Sequence, residues 1–176
     1  MDGFPILSLL IAVPVAAAIV IALVPSRRSE LHLPLGVGLS LIPLALAGWL
    51  FFEYQAGLGF SFQEVALLYE PLGIGWNVGI DGISLPMVVI TTVLVPIALA
   101  ASGAITDRTK LFVIMVLLLE AATIGVFVAL DLLVFFVFFE FVLVPMTFII
   151  GIWGSENRIY AAVKFFLYTA FGLSLI

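Results

Sequence analysis

Six apolar runs constrain this chain more than anything else in it: Phe4–Val24, Leu33–Phe52, Ile83–Ile105, Leu111–Leu130, Leu132–Trp153 and Arg158–Ile176. Each is close to the ~20 residues that cross about 30 Å of hydrocarbon as a helix. The stretch from Leu111 to Trp153 would be roughly 65 Å long as one helix, twice the membrane thickness, so it must fold back. Asp131 is the only charge near its centre, and the turn is expected there. Of the 176 residues, 65% are hydrophobic and 10% charged. A soluble domain of this size carries about 25% charge. The reading is an all-α, polytopic transmembrane bundle of about six helices, multi-pass in a cell (inner or plasma) membrane, with the lipid bilayer as its first partner.

Composition also excludes. Six Lys and Arg against a net charge of -5 leave no basic surface for nucleic acid. The absence of cysteine removes disulfides, iron–sulfur clusters and thiolate zinc sites from this chain. The single histidine, His32, is expected in a loop, and one histidine cannot make a bis-histidine haem. If the protein takes part in redox chemistry, the electrons travel elsewhere.

Basic residues set an orientation. Arg27 and Arg28, then Arg108 and Lys110, then Arg158 fall in the loops after the first, third and fifth helices. The other loops hold Glu53, Glu64, Glu70, Asp81 and Asp131, with no Lys or Arg. The positive-inside rule then puts the N-terminus outside and the three basic loops in the cytoplasm. Asp2 and the lack of a basic start argue against a cleaved signal peptide, so the first run is expected to stay as a helix. The last run has no visible stop, and the chain is expected to be the front part of a longer protein. The outer connection from Glu53 to Gly82 mixes Gly, aromatics and acids, which suits a short hairpin or an interfacial piece. Its GIGWNVG fragment is not a dinucleotide fingerprint, because Val78 occupies the third glycine position and no βαβ unit surrounds it.

Three ionisable residues lie inside apolar runs: Glu120, Glu140 and Lys164. A charge at the bilayer centre costs on the order of 3 kcal/mol on insertion scales. Counted from a turn at Asp131, Glu120 and Glu140 lie about 17 and 14 Å deep. Lys164 lies about 9 Å in from the opposite side. Two readings stand. A buried structural pair would account for one acid and the lysine and leave the second acid over. A proton relay would use all three. At about 10 Å and an effective dielectric near 20, charge coupling is roughly 1.7 kcal/mol, enough for each group to sense the next. Pro145 frees the carbonyl of Phe141, beside Glu140 in sequence, which either seats a water or only kinks the helix. Pro14, Pro43 and Pro96 also interrupt predicted helices. Tyr160 and Tyr168 flank Lys164 at minus four and plus four, as a polar stripe extended by Thr169 or Ser174 or as ordinary packing. Asp81 and Asp131 read as solvated or capping acids.

The runs LDLLVFFVFFEFVLVPMTFIIGIWG, RIYAAVKFFLYTAFG, GIDGISLPMVVITTVLVPIALAAS and LLLEAATIGVFVALD closely resemble one family. They are similar to chain M of the proton-pumping NADH–quinone oxidoreductases (respiratory complex I), an antiporter-like membrane subunit. The resemblance spans the whole chain from the first helix onward. It implies a fourteen-helix protein with two inverted five-helix repeats. Residues 1–110 would then hold three N-terminal helices with an outer loop at 53–82, and 111–176 the start of the first repeat, helices four to six.

The resemblance also implies roles. Glu140 matches the fifth-helix acid, Lys164 the sixth-helix lysine and Glu120 a fourth-helix acid. The acid's usual partner, a lysine on the seventh helix, lies beyond this sequence. Phe139 stands where the family often has Trp. The implied function is proton translocation driven by quinone reduction, in an enzyme complex whose NADH, FMN, iron–sulfur clusters and quinone sit in partner subunits, with no cofactor in this chain. Its partners would be the other membrane-arm subunits. Two alternatives share the motifs or the architecture: a subunit of a multi-subunit cation/proton antiporter, and a non-transporting membrane scaffold.

Overall fold

In hydrocarbon, a chain satisfies its backbone polar groups only as a helix or a closed barrel, and every apolar run here takes the first solution. The computed structural model describes residues 5–25, 27, 29–55, 59–69, 74–173 and 175. In chain order these form α1 (Ile6–Leu23), α2 (Ser29–Glu53), β1 (Ser61–Tyr69), β2 (Ile74–Ile80), α3 (Ser84–Ala101) with a 3-10 turn at Ser102–Ala104, α4 (Thr109–Val128), α5 (Leu132–Trp153) and α6 (Arg158–Leu173). Helices α1 to α5 are long and apolar enough to cross a membrane, and the chain is a multi-pass membrane protein. Helix α6 has 16 described residues, roughly 24 Å at 1.5 Å per residue.

One expectation is corrected. His32 does not lie in a loop; α2 begins at Ser29 and His32 is buried in its second turn. The polar Ser29–Glu30 start and Pro34 lower the apparent hydropathy, but Pro34 only frees the carbonyl of Glu30, an exposed residue at the helix mouth.

The connection between α2 and α3 is an antiparallel hairpin. Its register runs from Ser61 opposite Ile80 to Tyr69 opposite Ile74, with irregularities between Ser61 and Glu64 and between Leu67 and Tyr69. Phe62, at φ 54°, sits in the first of these. The hairpin is clasped at both sides. Glu64 accepts the N–H groups of Leu7 (2.6 Å) and Ser8 (3.1 Å) and the Ser8 hydroxyl, while Trp76 Nε1 donates to Ser8 Oγ at 2.9 Å. A strand residue thus caps the N-terminus of α1, where an anion is favoured by the helix dipole. On the other side, Val78 bridges Ala129, and the N–H of Leu130 donates to the Asn77 carbonyl at 2.9 Å.

Helix ends follow local chemistry. Asp131 turns the chain between α4 and α5, accepting the N–H groups of Leu133 (2.8 Å) and Val134 (3.3 Å). Asp81 and Ser84 cap α3 reciprocally. The Asp81 carboxylate accepts from the Ser84 and Ile83 N–H groups at 2.7 and 3.0 Å, and Ser84 Oγ accepts from the Asp81 N–H at 2.9 Å. Lys110 Nζ closes the C-terminal end of α1 by donating to the carbonyls of Ala22 (2.7 Å) and Val24 (2.8 Å). That bond fixes the end of α1 and the start of α4 on one face of the bundle.

Two apolar clusters stack along the bundle. One, next to the hairpin, gathers Leu7, Leu10, Leu50, Ile80, Val88, Ile124 and Val128. The other, toward the basic loops, gathers Ala17, Ile21, Leu99, Val113 and Leu117. Helix α4 is central, packing against α1, α2, α3 and α5. Close approach is needed at Gly125, where a Cβ would fall 2.3 Å from the Phe138 ring, and at Gly36, where it would fall 2.5 Å from Val113. Large apolar side chains such as Ile19, Ile97 and Phe141 face outward, as a bilayer requires.

Candidate functional site

Glu120 occupies the waist between the two clusters, on the central helix. On α4, Leu117 belongs to one cluster and Ile124 to the other, and Glu120 falls between them. The same level is reached on α1 by Pro14, on α2 by Ser40 and Pro43, and on α3 by Thr92, all buried. These positions combine hydroxyls with prolines. Pro14 and Pro43 free the carbonyls of Leu10 and Leu39, four residues back. A polar layer therefore crosses the middle of an otherwise apolar bundle.

Within that layer Glu120 is 1% exposed, and neither carboxylate oxygen has a hydrogen-bond partner among the described residues. Ser40 and Thr92 do not help it: their hydroxyls donate to their own helices, at Val37 (2.8 Å) and Val89 (2.9 Å). Buried polar groups in native proteins are almost always hydrogen-bonded. An intramembrane acid held apart from fixed protein partners is a candidate functional site, and ion or proton movement is a common use of such groups.

Glu140 lies on α5, only half-buried, and among the described residues it makes no hydrogen bond or ion pair. The neighbouring Phe135 and Phe139 rings pack at 5.7 Å, so phenylalanine fills the position before the acid by contacting its own helix. Pro145 is buried, and α5 runs on through it to Trp153. Lys164 is exposed on α6, with Nζ 5.7 Å from the centroid of the Tyr160 ring. That is cation–π contact. Of the two tyrosines around Lys164, Tyr160 is its ring partner, and Tyr168 points outward at 82% exposure. The Thr169 hydroxyl donates to the Phe165 carbonyl at 2.8 Å. Ser174 lies outside the described residues.

The three acids and bases are not brought into contact within this chain. Helices α4, α5 and α6 pack in sequence, α4 on α5 and α5 on α6, so the order Glu120, Glu140, Lys164 runs laterally across the bundle. Asp81 and Asp131 are caps. Among the described residues no group of three or more His, Cys, Asp or Glu is placed to hold a metal ion. Sequence reading missed the polar layer around Glu120. Ser40 and Thr92 look neutral in an apolar run, and only packing shows that they share a level with Glu120. It also missed the Glu64 cap, which acts across 56 residues and leaves no local pattern.

Residues 129–176 match the family described as NADH:quinone oxidoreductase/Mrp antiporter, TM. Over 170 residues the chain is 36% identical to an NAD(P)H-quinone oxidoreductase chain 4 of Nostoc sp., covering 95% of this chain and 31% of that one. A stretch of 105 residues is 51% identical to NADH-quinone oxidoreductase subunit M of Rhodobacter capsulatus, covering 60% of this chain and 20% of the relative. The fold matches a chain of respiratory complex I from Thermus thermophilus with bound NADH at a TM-score of 0.81 and 28% identity, covering 95% of this chain and 33% of that one. The chain spans about a third of the length of the curated relatives that it matches along most of its own length. By sequence and by fold, this chain is similar to the antiporter-like membrane subunits of the NADH:quinone oxidoreductase type.

Proposed function

We propose that this chain is part of a proton-translocating subunit in the membrane arm of an NADH–quinone oxidoreductase. Glu140 is the exchange site, Lys164 modulates it, and Glu120 is an accessory acid linking toward a neighbour. The observation that carries the reading is Glu120, buried without a protein partner at the polar waist of a bundle similar to this family's. Electron transfer is assigned to partner subunits holding NADH, FMN, iron–sulfur clusters and quinone, and the driving force arrives through the other membrane-arm subunits. Residues 1–110 act as a three-helix lead-in and 111–176 as the start of the first repeat. The basic loops face the cytoplasm and the hairpin faces outside, as positive charge distribution favours.

A cation/proton antiporter is the second reading, because the matching family description covers Mrp antiporters as well. Genes for NADH-oxidising and quinone-site subunits beside this one support the first reading; antiporter partners support the second. The direct test is Glu140→Gln in the assembled complex, reconstituted in liposomes. The complex assembles and protons moved per electron collapse. An unchanged stoichiometry removes Glu140 from the proton route and leaves a scaffold role.

A further inference from the structure

We propose that the mouth of the bundle where α2 and α4 begin is a binding site for a phosphate group, supplied by the headgroup of an anionic phospholipid. A cavity of about 450 Å³ opens there, lined among others by Ser29, His32, Arg108, Thr109, Lys110 and Ile114. It lies on the basic face, far along the helices from Glu120, and nothing in the proton relay uses it.

Three features converge on an anion. Helix α4 starts here with no side-chain cap, so its first N–H groups have no partner within the helix. A 20-residue helix places the positive end of its dipole at this point. Arg108 and Lys110 add two cations to the lining. Lys110 Nζ already donates to the carbonyls of Ala22 and Val24, which anchors its charge at the rim with one proton still to give. Glu30 and Asp107 are near in sequence, but neither lines the cavity.

His32 supplies the independent sign of a ligand. It lines the cavity, is 1% exposed, and neither ring nitrogen has a hydrogen-bond partner among the described residues. In either neutral tautomer an imidazole carries one N–H to donate, and burying it unused is costly. A phosphate meets all of these needs together. Its oxygens accept from the Arg108 fork, from the α4 N–H groups and from His32 at once, which a single-atom anion cannot do. Ile114 gives the cavity an apolar wall, and Leu35, one turn deeper than His32 on α2, is exposed for an acyl chain to follow.

The test uses the assembled complex, stripped of lipid in detergent. It is titrated separately with dioleoylphosphatidylglycerol and with inorganic phosphate, with bound molecules counted by native mass spectrometry. Arg108→Asn is the main variant: asparagine keeps the left-handed backbone that Arg108 adopts at φ 51° and loses the cation. His32→Leu is the second, and Arg108→Asn decides alone if His32→Leu does not assemble. Each variant weakens phosphatidylglycerol binding about tenfold, the effect of losing one hydrogen bond to a charged group. If only inorganic phosphate binds, and Arg108→Asn weakens it, the phosphate site stands and its ligand is soluble. If Arg108→Asn leaves both affinities unchanged, or neither probe binds, the proposal is overturned.

Discussion

Asp81, Asp131 and Glu120 carry the same chemistry and differ in what surrounds them. The two aspartates sit at helix starts, where backbone N–H groups need an acceptor. The Ser84 N–H beside Asp81 is the main cause that holds its carboxyl below the ordinary carboxylate range. A carboxyl depressed in the folded state stabilises fully above the ordinary range, and that contribution is lost as pH falls through the folded value. As the loss of a helix cap, Asp81→Ala costs about 1 kcal/mol at neutral pH. It also removes part of the acid sensitivity of the first turn of α3. Amide hydrogen exchange at Ser84 and Leu85 measures both: exchange speeds up in the variant at pH 7, and its difference from wild type shrinks in acid. Glu120 has no such backbone to bind. Both caps were legible in sequence because Asp before an apolar run is a local signal. The isolation of Glu120 was not, since it depends on side chains from three other helices.

Between elements, the geometry is set by small residues rather than by amphipathic stripes. Lipid is as apolar as the helix surfaces, so close packing takes over from the hydrophobic effect. Gly125 lets α4 receive the Phe138 ring of α5, and that ring stands edge-on to Trp76 of the hairpin at 5.8 Å. Gly125→Ala forces the ring out and destabilises by about 1–3 kcal/mol. Phe138→Leu relieves the clash, so the double variant of the assembled complex melts above the temperature that summed single effects give. Additive effects would show that α4 and α5 do not meet there. The six helices were readable because each run is long and apolar. Helix α2 starts at Ser29, four residues before its apolar run; a proline at a solvated helix mouth looks like a break in the sequence. The hairpin was expected only as one option for the outer connection. Its docking onto α1 and onto the α4–α5 turn rests on pairings distant in sequence, such as Glu64 with Ser8 and Asn77 with Leu130.

For the whole molecule, two clusters with a polar layer between them make a bundle that is apolar toward both faces and interrupted in the middle. The hairpin covers one end, and the basic loops with the Lys110 cap occupy the other. Charge bias predicts their sides. The sequence has no cysteine, so single cysteines at Gln55 and Ser155 report orientation cleanly. In intact cells an impermeant maleimide labels Gln55→Cys, and Ser155→Cys reacts only after the membrane is opened; the reverse pattern inverts the topology. Infrared difference spectra of the assembled complex during turnover, recorded in H₂O and in D₂O, measure whether the buried carboxyls exchange protons. Proton exchange at these two acids gives turnover-linked carboxyl bands that shift on deuteration, one component disappearing in Glu120→Gln and another in Glu140→Gln. Spectra with no such bands, or bands that both variants leave intact, would contradict it.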